Sequence, residues 1–254
     1  MSTLLSINNL SVGVGAKTLV HNVSFDVPTG KIVAIAGGSG SGKTTIGLSI
    51  LRLLPSALSL KEGSIVFEGR NVLELSAEGM RQLRGARIGM VFQEPLSAFD
   101  PLFTIGQQLD EVLMAHTALS KAERHKRIID TLSEVELPDP QRVYTSYPHQ
   151  LSGGMRQRAM VAQAIIGGPS LIIADEPTSS LDVTLQIKIM ELLGRLRTKN
   201  MSILLITHDL GMIAHMADEV IVLRQGEIVE KGTVTQVIKQ PRHEYTRQLV
   251  EAFQ

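Results

Sequence analysis

The 254-residue chain carries 25 basic and 25 acidic side chains, which cancel to a formal charge of zero, and it has no cysteine. The missing cysteines exclude disulfides, thiolate zinc sites and iron–sulfur clusters, and the balanced charge gives no indication of a nucleic-acid partner. The first residues lack the pattern of a signal peptide, and no stretch reaches the roughly 18 to 20 apolar residues that span a bilayer. We therefore expect a soluble chain that acts at a membrane only through other chains.

The start of the chain predicts two antiparallel strands followed by a buried strand. Apolar and polar residues alternate, with one break, in 5–12 and again in 23–27, which is typical of paired strands with one wet face. The continuous apolar run 32–36 then predicts a strand that is buried on both faces.

A glycine-rich loop connects this buried strand to a predicted helix at 46–51. The loop consists of Gly37, Gly38, Ser39, Gly40, Ser41, Gly42, Lys43, Thr44 and Thr45. Its spacing fits the P-loop pattern, in which glycines permit turns closed to other residues and the N–H groups point at phosphate oxygens. Lys43 is expected between the β- and γ-phosphates of a nucleotide, and the Thr44 hydroxyl is expected to hold Mg²⁺. A flexible Gly/Ser linker is the alternative, which the flanking strand and helix disfavour.

Strand and helix patterns alternate through the rest of the chain. Helical spacing of apolar residues dominates between 93 and 150. The other predicted elements are strands at 64–69, 88–92, 171–174 and 203–206, a helix at 153–166, a hairpin at 225–226 and two short C-terminal helices. A further helix is predicted between 177 and 203, where Leu185, Ile189, Leu192 and Leu196 form one apolar stripe. We therefore predict a single α/β domain with a P-loop core, an antiparallel β subdomain and an inserted helical subdomain. The core and β lobe are assigned to 1–92 and 151–254, and the helical lobe to 93–150.

Polar residues follow three of the buried strands. Because ligands collect at the carboxyl ends of strands in open α/β sheets, Asp175 can reach Mg²⁺ while Glu176 polarises an attacking water. Gln93 can orient a water or touch Mg²⁺, and His208 can donate a hydrogen bond to a γ-phosphate. Each of the four could instead be structural, the acids as caps of the following turn and the other two as ordinary strand-end residues.

A second anion site is predicted at the start of a later helix. Ser152, Gly153 and Gly154 supply a hydroxyl and two glycines at the positive end of this helix. An ordinary N-cap is the alternative, because one phosphate-binding chain has no obvious need for two such sites.

In order and spacing, these motifs resemble the full set of an ATP-binding cassette (ABC) ATPase: the P-loop, Gln93, 151–154, 171–176, 180–182 and His208. The resemblance covers nearly the whole chain and implies ATP and Mg²⁺ as ligands and ATP hydrolysis as the activity. In that family two cassettes pack head to tail around two ATP molecules. Ser152, Gly153 and Gly154 then meet the γ-phosphate bound by the partner's P-loop, and Asp182 lies across the interface. The partner cassette is either a second copy or a related chain.

Two segments, 92–101 and 241–247, are similar to segments in the ATPase subunits of peptide and nickel importers. The first implies a groove that receives a helix of an integral membrane permease, with a substrate-binding protein involved indirectly. The chain is then expected as a peripheral subunit on the cytoplasmic face of the inner cell membrane. No cysteine-bearing extension follows the second segment, so the chain looks more like the short nickel-type subunits. Nickel, a metal chelate, a dipeptide and an oligopeptide all remain open as cargo.

Two residues depart from the family pattern. Met155 stands where the signature usually has Gln, so it cannot offer an amide to the nucleotide. Val14 stands near the position of an aromatic ring that stacks on adenine, and a missing ring removes about 1 kcal/mol beyond area burial.

Two other functions are consistent with a nucleotide-binding fold. A non-transport ABC ATPase acting on DNA or ribosomes would show salt-sensitive nucleic-acid binding, but the chain has no basic surface signal, coiled coil or zinc cysteines. A regulatory module without turnover would bind ATP only, and Glu176 and His208 argue against that alternative.

Overall fold

The computed structural model describes residues 2–179, 181–198 and 200–252. The strands are β1 (Thr3–Val14), β2 (Lys17–Pro28), β3 (Ile32–Ala36), β4 (Ser59–Phe67), β5 (Arg70–Asn71), β6 (Ile88–Val91), β7 (Leu171–Asp175), β8 (Ser202–Ile206), β9 (Glu219–Arg224) and β10 (Glu227–Thr233). The helices are α1 (Lys43–Ile50), α2 (Ala77–Leu83), α3 (Pro95–Ala98), α4 (Ile105–His116), α5 (Lys121–Glu134), α6 (Pro140–Thr145), α7 (Gly153–Ile165), α8 (Val183–Thr198), α9 (Leu210–Met216) and α10 (Glu244–Glu251). The chain forms two units, one from 1–80 with 196–254 and the other from 81–195.

The first unit contains the predicted antiparallel sheet, in the strand order β2-β1-β4-β5. The pairing of β1 with β2 shifts register between Ile7 and Leu10, where Asn9 has a positive φ of 50°. This irregularity is the break in the alternation, since an extra residue in one strand moves the following side chains to the other face. The predicted pair of antiparallel strands is therefore confirmed.

β3, the strand that leads into the P-loop, lies between two other strands of this unit. It pairs in parallel with β8 on one side and with β9 on the other, and β10 pairs antiparallel with β9. All five residues of β3 are buried, which explains its unbroken apolar sequence. Asp218 holds the start of β3, because its carboxylate accepts hydrogen bonds from the Ile32 N–H at 2.9 Å and from Lys31 Nζ at 3.0 Å.

The second unit combines the parallel pair β6–β7 with five helices that lie wholly within it, α3 to α7, and most of α8. Buried residues of α4 and α5, such as Leu109 and Leu132, fall at the predicted helical spacing. Capping boxes begin both helices, with Thr104 at the start of α4 and Ser120 at the start of α5. The α/β fold with an antiparallel sheet and a mainly helical stretch after β6 is thus confirmed.

The second unit is larger than the predicted helical lobe at 93–150. It begins before β6 and extends through α7, β7 and most of α8. The division of the chain into a core and a helical lobe at those residues stays a proposal. None of the helices in the described ranges is long and apolar enough to cross a membrane.

Gly89 fixes how closely α7 packs on β6. A Cβ atom at this position would overlap the Ala164 carbonyl oxygen, which belongs to the backbone of α7 and cannot turn aside. By contrast, a Cβ atom at Gly194 on α8 would meet nothing within 4 Å. Close packing therefore requires a glycine at position 89, whereas no contact requires one at position 194.

We expect Gly89→Ala to lower the free energy of unfolding by about 3 kcal/mol, because α7 or β6 must shift to admit the methyl group. The matched substitution Gly194→Ala is expected to raise it by up to about 1 kcal/mol, since Ala favours the helix. Chemical denaturation of the two purified variants measures both values. Equal stabilities would contradict the packing role of Gly89.

Candidate active site

Three glycines of the P-loop have the left-handed backbone that the sequence predicted. The φ angles are 153° at Gly37, 74° at Gly40 and 103° at Gly42. A Cβ at Gly37 would overlap the Leu223 carbonyl oxygen of β9, whereas one at Gly40 would meet nothing within 4 Å. Gly37 is therefore required by close backbone approach as well as by conformation, and Gly40 by conformation alone.

The helix that follows the loop begins without a side-chain cap. Its N-cap residue Gly42 makes no side-chain hydrogen bond, and no acidic residue occupies the first turn. The first intrahelical bond runs from the Ile46 N–H to the Gly42 carbonyl at 3.0 Å. The N–H groups that precede the first intrahelical bond of an α-helix have no acceptor within the helix, and such groups donate to a bound anion. This end of α1 therefore fits a phosphate group.

Lys43 and Gly38 make contacts that the sequence did not predict. Lys43 Nζ donates to the carbonyl oxygens of Gly37 at 2.8 Å and Gly38 at 3.0 Å. The Gly38 N–H donates to the Tyr245 hydroxyl at 3.0 Å. The Ser41 hydroxyl is buried and has no hydrogen-bond partner among the described residues. Through its two bonds to the loop carbonyls, the Lys43 side chain lies over the loop, as a phosphate-binding lysine must.

His208 lies level with the start of the P-loop. Ile35 of β3 pairs with Ile206 of β8. Gly37 and His208 each follow their paired residue by two positions, just beyond the ends of the two strands. The His208 side chain is exposed. Since neighbouring strands lie about 4.8 Å apart, His208 can reach an anion held by the loop.

An open cavity of about 790 Å³ adjoins the P-loop at Gly40. Its lining includes two cationic side chains, Lys17 and Arg224, and one carboxylate, Glu227. Val14, where the family pattern has an aromatic ring, is 41% exposed. The surroundings of the loop are thus more basic than acidic, which suits a phosphorylated ligand.

In the second unit, Gln93 lies level with Glu176. Val91 of β6 pairs with Ala174 of β7, so each of these residues follows its paired strand residue by two positions. Asp175 is only 3% exposed and Glu176 is 9% exposed, whereas the Gln93 side chain faces solvent. Two carboxylates and an amide oxygen at one strand edge are the hard donors that Mg²⁺ prefers.

Glu176 is held in an unfavourable backbone conformation. Its φ is 47°, in the left-handed region where a residue with a side chain is strained by about 1–2 kcal/mol. The buried Gln157 of α7 fixes the turn beyond it by donating from Nε2 to the Pro177 carbonyl at 2.6 Å. Sequence reasoning missed Gln157, because periodicity marks it as one more residue of a helix and says nothing about its contact.

The structure separates the roles of the residues at the start of α7. The Ser152 hydroxyl accepts a hydrogen bond from the Met155 N–H at 3.3 Å, which leaves the hydroxyl proton able to donate elsewhere. A Cβ at Gly154 would lie 2.8 Å from Leu185 Cδ1, while one at Gly153 would meet nothing within 4 Å. Gly154 therefore lies close against the end of the Leu185 side chain of α8, and Gly153 leaves the helix start open.

Asp182 caps the start of α8, where its exposed carboxylate accepts from the Leu185 N–H at 3.0 Å. Ser180, which belongs to the same predicted motif, lies outside the described residues. The structure thus brings His208 together with the P-loop in the first unit. It brings Gln93 together with Asp175 and Glu176 in the second.

A P-loop at the end of a buried parallel strand, with acids at the end of β7, defines a nucleotide-binding α/β protein of the P-loop class. The sequence model of the ABC transporter family matches residues 20–179, more than half of the 254. The chain therefore belongs to the ABC transporter family, as one of its cassette ATPases. Relatives named for dipeptide and oligopeptide transport confirm the resemblance to the peptide/nickel importer family on its peptide side.

Relatives and solved structures agree with this assignment. The peptidoglycan transport ATP-binding protein YejF of Agrobacterium fabrum is 48% identical over 98% of this chain, which spans 47% of that protein. The dipeptide transport ATP-binding protein DppD of Bacillus subtilis is 43% identical over 98% of the chain and 76% of its own length. The ATP-binding cassette MJ0796, solved as a dimer with ADP and Pi, is 30% identical, with a TM-score of 0.80 over 91% of this chain and 98% of that one. The predicted ABC ATPase fold is confirmed.

Strain at Glu176 can be measured by comparing two substitutions that both remove the carboxylate. We expect Glu176→Gly to be more stable than Glu176→Ala by about 1 kcal/mol, because only glycine adopts a positive φ freely. At the exposed helical residue Glu191 of α8 the order should reverse, with Ala about 1 kcal/mol more stable than Gly. Denaturant titration of the four variants decides, and the same order at both positions would argue against strain at Glu176.

Proposed function

We propose that this chain hydrolyses ATP to power the import of peptides through a membrane permease. The observation that carries the proposal is the P-loop backbone, with three glycines at positive φ leading into an uncapped helix start. Hydrolysis as such follows from membership of the family. The cargo and the assembly are inferred from the relatives and from the surfaces described below.

The phosphate chain of ATP is bound by the loop and by Lys43. The ammonium group, now on the carbonyls of Gly37 and Gly38, exchanges these neutral acceptors for charged phosphate oxygens, which form stronger hydrogen bonds. Thr44, Asp175 and Gln93 are the residues that would hold Mg²⁺ through oxygen ligands, and the ion would supply positive charge that neutralises the phosphates. Ser39, Gly40, Ser41, Gly42 and Thr45 complete the cradle.

Hydrolysis requires a group that accepts a proton from water. Glu176 serves as this group, since burial of its carboxylate limits competing solvent and its constrained backbone fixes its direction. Gln93 orients the attacking water, and His208 donates to the γ-phosphate, where negative charge develops. Gln157 acts on Glu176 through the Pro177 carbonyl, so it is a positioning residue and not a catalytic one.

ATP is proposed to close a dimer of cassettes. The open helix start at Gly153 and the hydroxyl proton of Ser152 are placed to meet a phosphate from outside this chain, with Asp182 close by in sequence and exposed. The dimeric MJ0796 cassette supports this arrangement. The second cassette is a copy of this chain or a related one, and Met155 makes an unequal pair attractive.

The permease contact is proposed at the segment between β6 and α4. Large apolar side chains are exposed there, with Leu102 at 78%, Leu96 at 56% and Phe103 at 49%. A cluster of this kind suits a helix of another chain. Through the permease the chain sits on the cytoplasmic face of the inner membrane, and a substrate-binding protein delivers the cargo. Peptide names among the relatives support peptides as cargo over nickel or a metal chelate.

The role of Lys43 is tested by Lys43→Ala. We expect ATP affinity to fall about tenfold to a hundredfold, the value of charge-assisted hydrogen bonds, and hydrolysis to become undetectable. Lys126→Ala, on the exposed side of α5, is the matched control and should bind ATP like the unchanged chain. Equilibrium binding and phosphate release measure the two effects. Full turnover by Lys43→Ala would overturn the proposed P-loop function.

The role of Glu176 is tested by the solution mass of Glu176→Gln with and without Mg-ATP. Blocking hydrolysis should trap the closed dimer, so a mass near twice 27.6 kDa is expected with ATP only. Glu62→Gln, an exposed residue of β4, should remain able to hydrolyse ATP and should not accumulate as a dimer. A Glu176→Gln variant that binds ATP but stays monomeric would contradict a homodimer and point to a related partner cassette.

A further inference from the structure

The segment 241–247, which resembles importer subunits, is anchored to β10 by Glu230. The Glu230 carboxylate accepts from the N–H groups of Arg242 at 2.9 Å and His243 at 3.0 Å. Burial acts to raise the pKa of Glu230, but hydrogen bonds from this segment outweigh it and hold the pKa below its ordinary value. His243 Nδ1 in turn accepts from the Tyr245 N–H at 3.1 Å, which caps α10.

This anchoring places the Tyr245 ring beside the P-loop. The Arg224 guanidinium at the end of β9 lies over the ring, 4.9 Å from its centroid. The Tyr245 hydroxyl accepts the Gly38 N–H at 3.0 Å, a contact between residues 207 positions apart. The ring is thus held by β9 and by the cap of α10, and its hydroxyl is left to bond the loop.

Gly38 links Tyr245 to Lys43. The N–H of Gly38 is bonded to the tyrosine, and its carbonyl oxygen accepts from Lys43 Nζ. When ATP draws Lys43 away from the carbonyls, the tyrosine bond remains to keep the Gly38 backbone in place. A loop that stays ordered in this way loses less conformational entropy on binding phosphate.

We propose that Tyr245 is a positioning residue that sets the affinity of the P-loop for ATP. The inference rests on the proposed function and deepens it, because it gives the segment 241–247 a role at the nucleotide. The hydroxyl, and not the ring, carries this role. The ring with Arg224 and the His243 cap already hold α10, so the hydroxyl adds a bond to the loop alone.

The test is Tyr245→Phe, which keeps the ring and removes the hydroxyl. We expect the dissociation constant and the KM for ATP to rise about threefold to tenfold, the value of one hydrogen bond, with kcat changed less than about twofold. Tyr144→Phe is the control, since this ring packs edge-on against His125 in the second unit, and it should bind ATP unchanged. A merely structural role would leave the KM unchanged.

A second measurement asks whether the effect runs through Gly38. Hydrogen exchange of the loop amides is compared in the unchanged chain and in Tyr245→Phe. Because the Gly38 N–H donates to the Tyr245 hydroxyl, we expect faster exchange at 37–43 in the variant.

The outcomes separate this inference from the proposed function. Failure of the unchanged chain to bind ATP would overturn the proposed function and this inference with it. If the unchanged chain binds ATP and Tyr245→Phe binds it equally well, only the inference fails. Loop exchange that stays the same in Tyr245→Phe would overturn it as well.

Discussion

The close approach of the β3 end to the backbone of β9 is the constraint on which the nucleotide loop depends. Gly37 lies where a Cβ would overlap the Leu223 carbonyl oxygen, so the chain can leave β3 only as glycine at positive φ. The parallel pairing of Ile35 with Ile206 then fixes His208 level with that exit. The absence of a side chain at Gly37 thus decides where the loop begins, and the register of β3 with β8 decides that His208 lies beside it.

Elements buried on both faces could be predicted almost to the residue. β3 and β8 read as unbroken apolar runs, and the structure extends only the latter, by one residue at Ser202. β4 begins at Ser59, five positions before its predicted start at 64, because among its first five residues only Leu60 is apolar and no alternation appears. α1 begins at Lys43, within the loop motif, since the phosphate-binding residues are also its first turn. Burial leaves an apolar run or an apolar periodicity in the sequence, whereas an exposed strand or a helix start inside a motif leaves neither.

Contacts between distant residues could not be predicted from one sequence. The bond from Gly38 to Tyr245 and the bond from Gln157 to Pro177 join residues whose local patterns are those of an ordinary loop or helix. The ring of His243 caps α10, a contact that no local pattern around this residue indicates. Such pairs depend on how elements pack, and spacing along the chain carries no information about it.

Adjacent glycines at the start of α7 show why a motif must be read residue by residue. Gly154 has a reason in packing, because a Cβ there would lie 2.8 Å from Leu185 Cδ1 and that side chain would have to move. Gly153 has neither a nearby atom nor a positive φ to require it. A glycine without a packing or conformational reason leaves the backbone of an exposed helix start open to a close approach from outside. Packing therefore gives a reason for Gly154, and a phosphate from a partner cassette is the reason that we propose for Gly153.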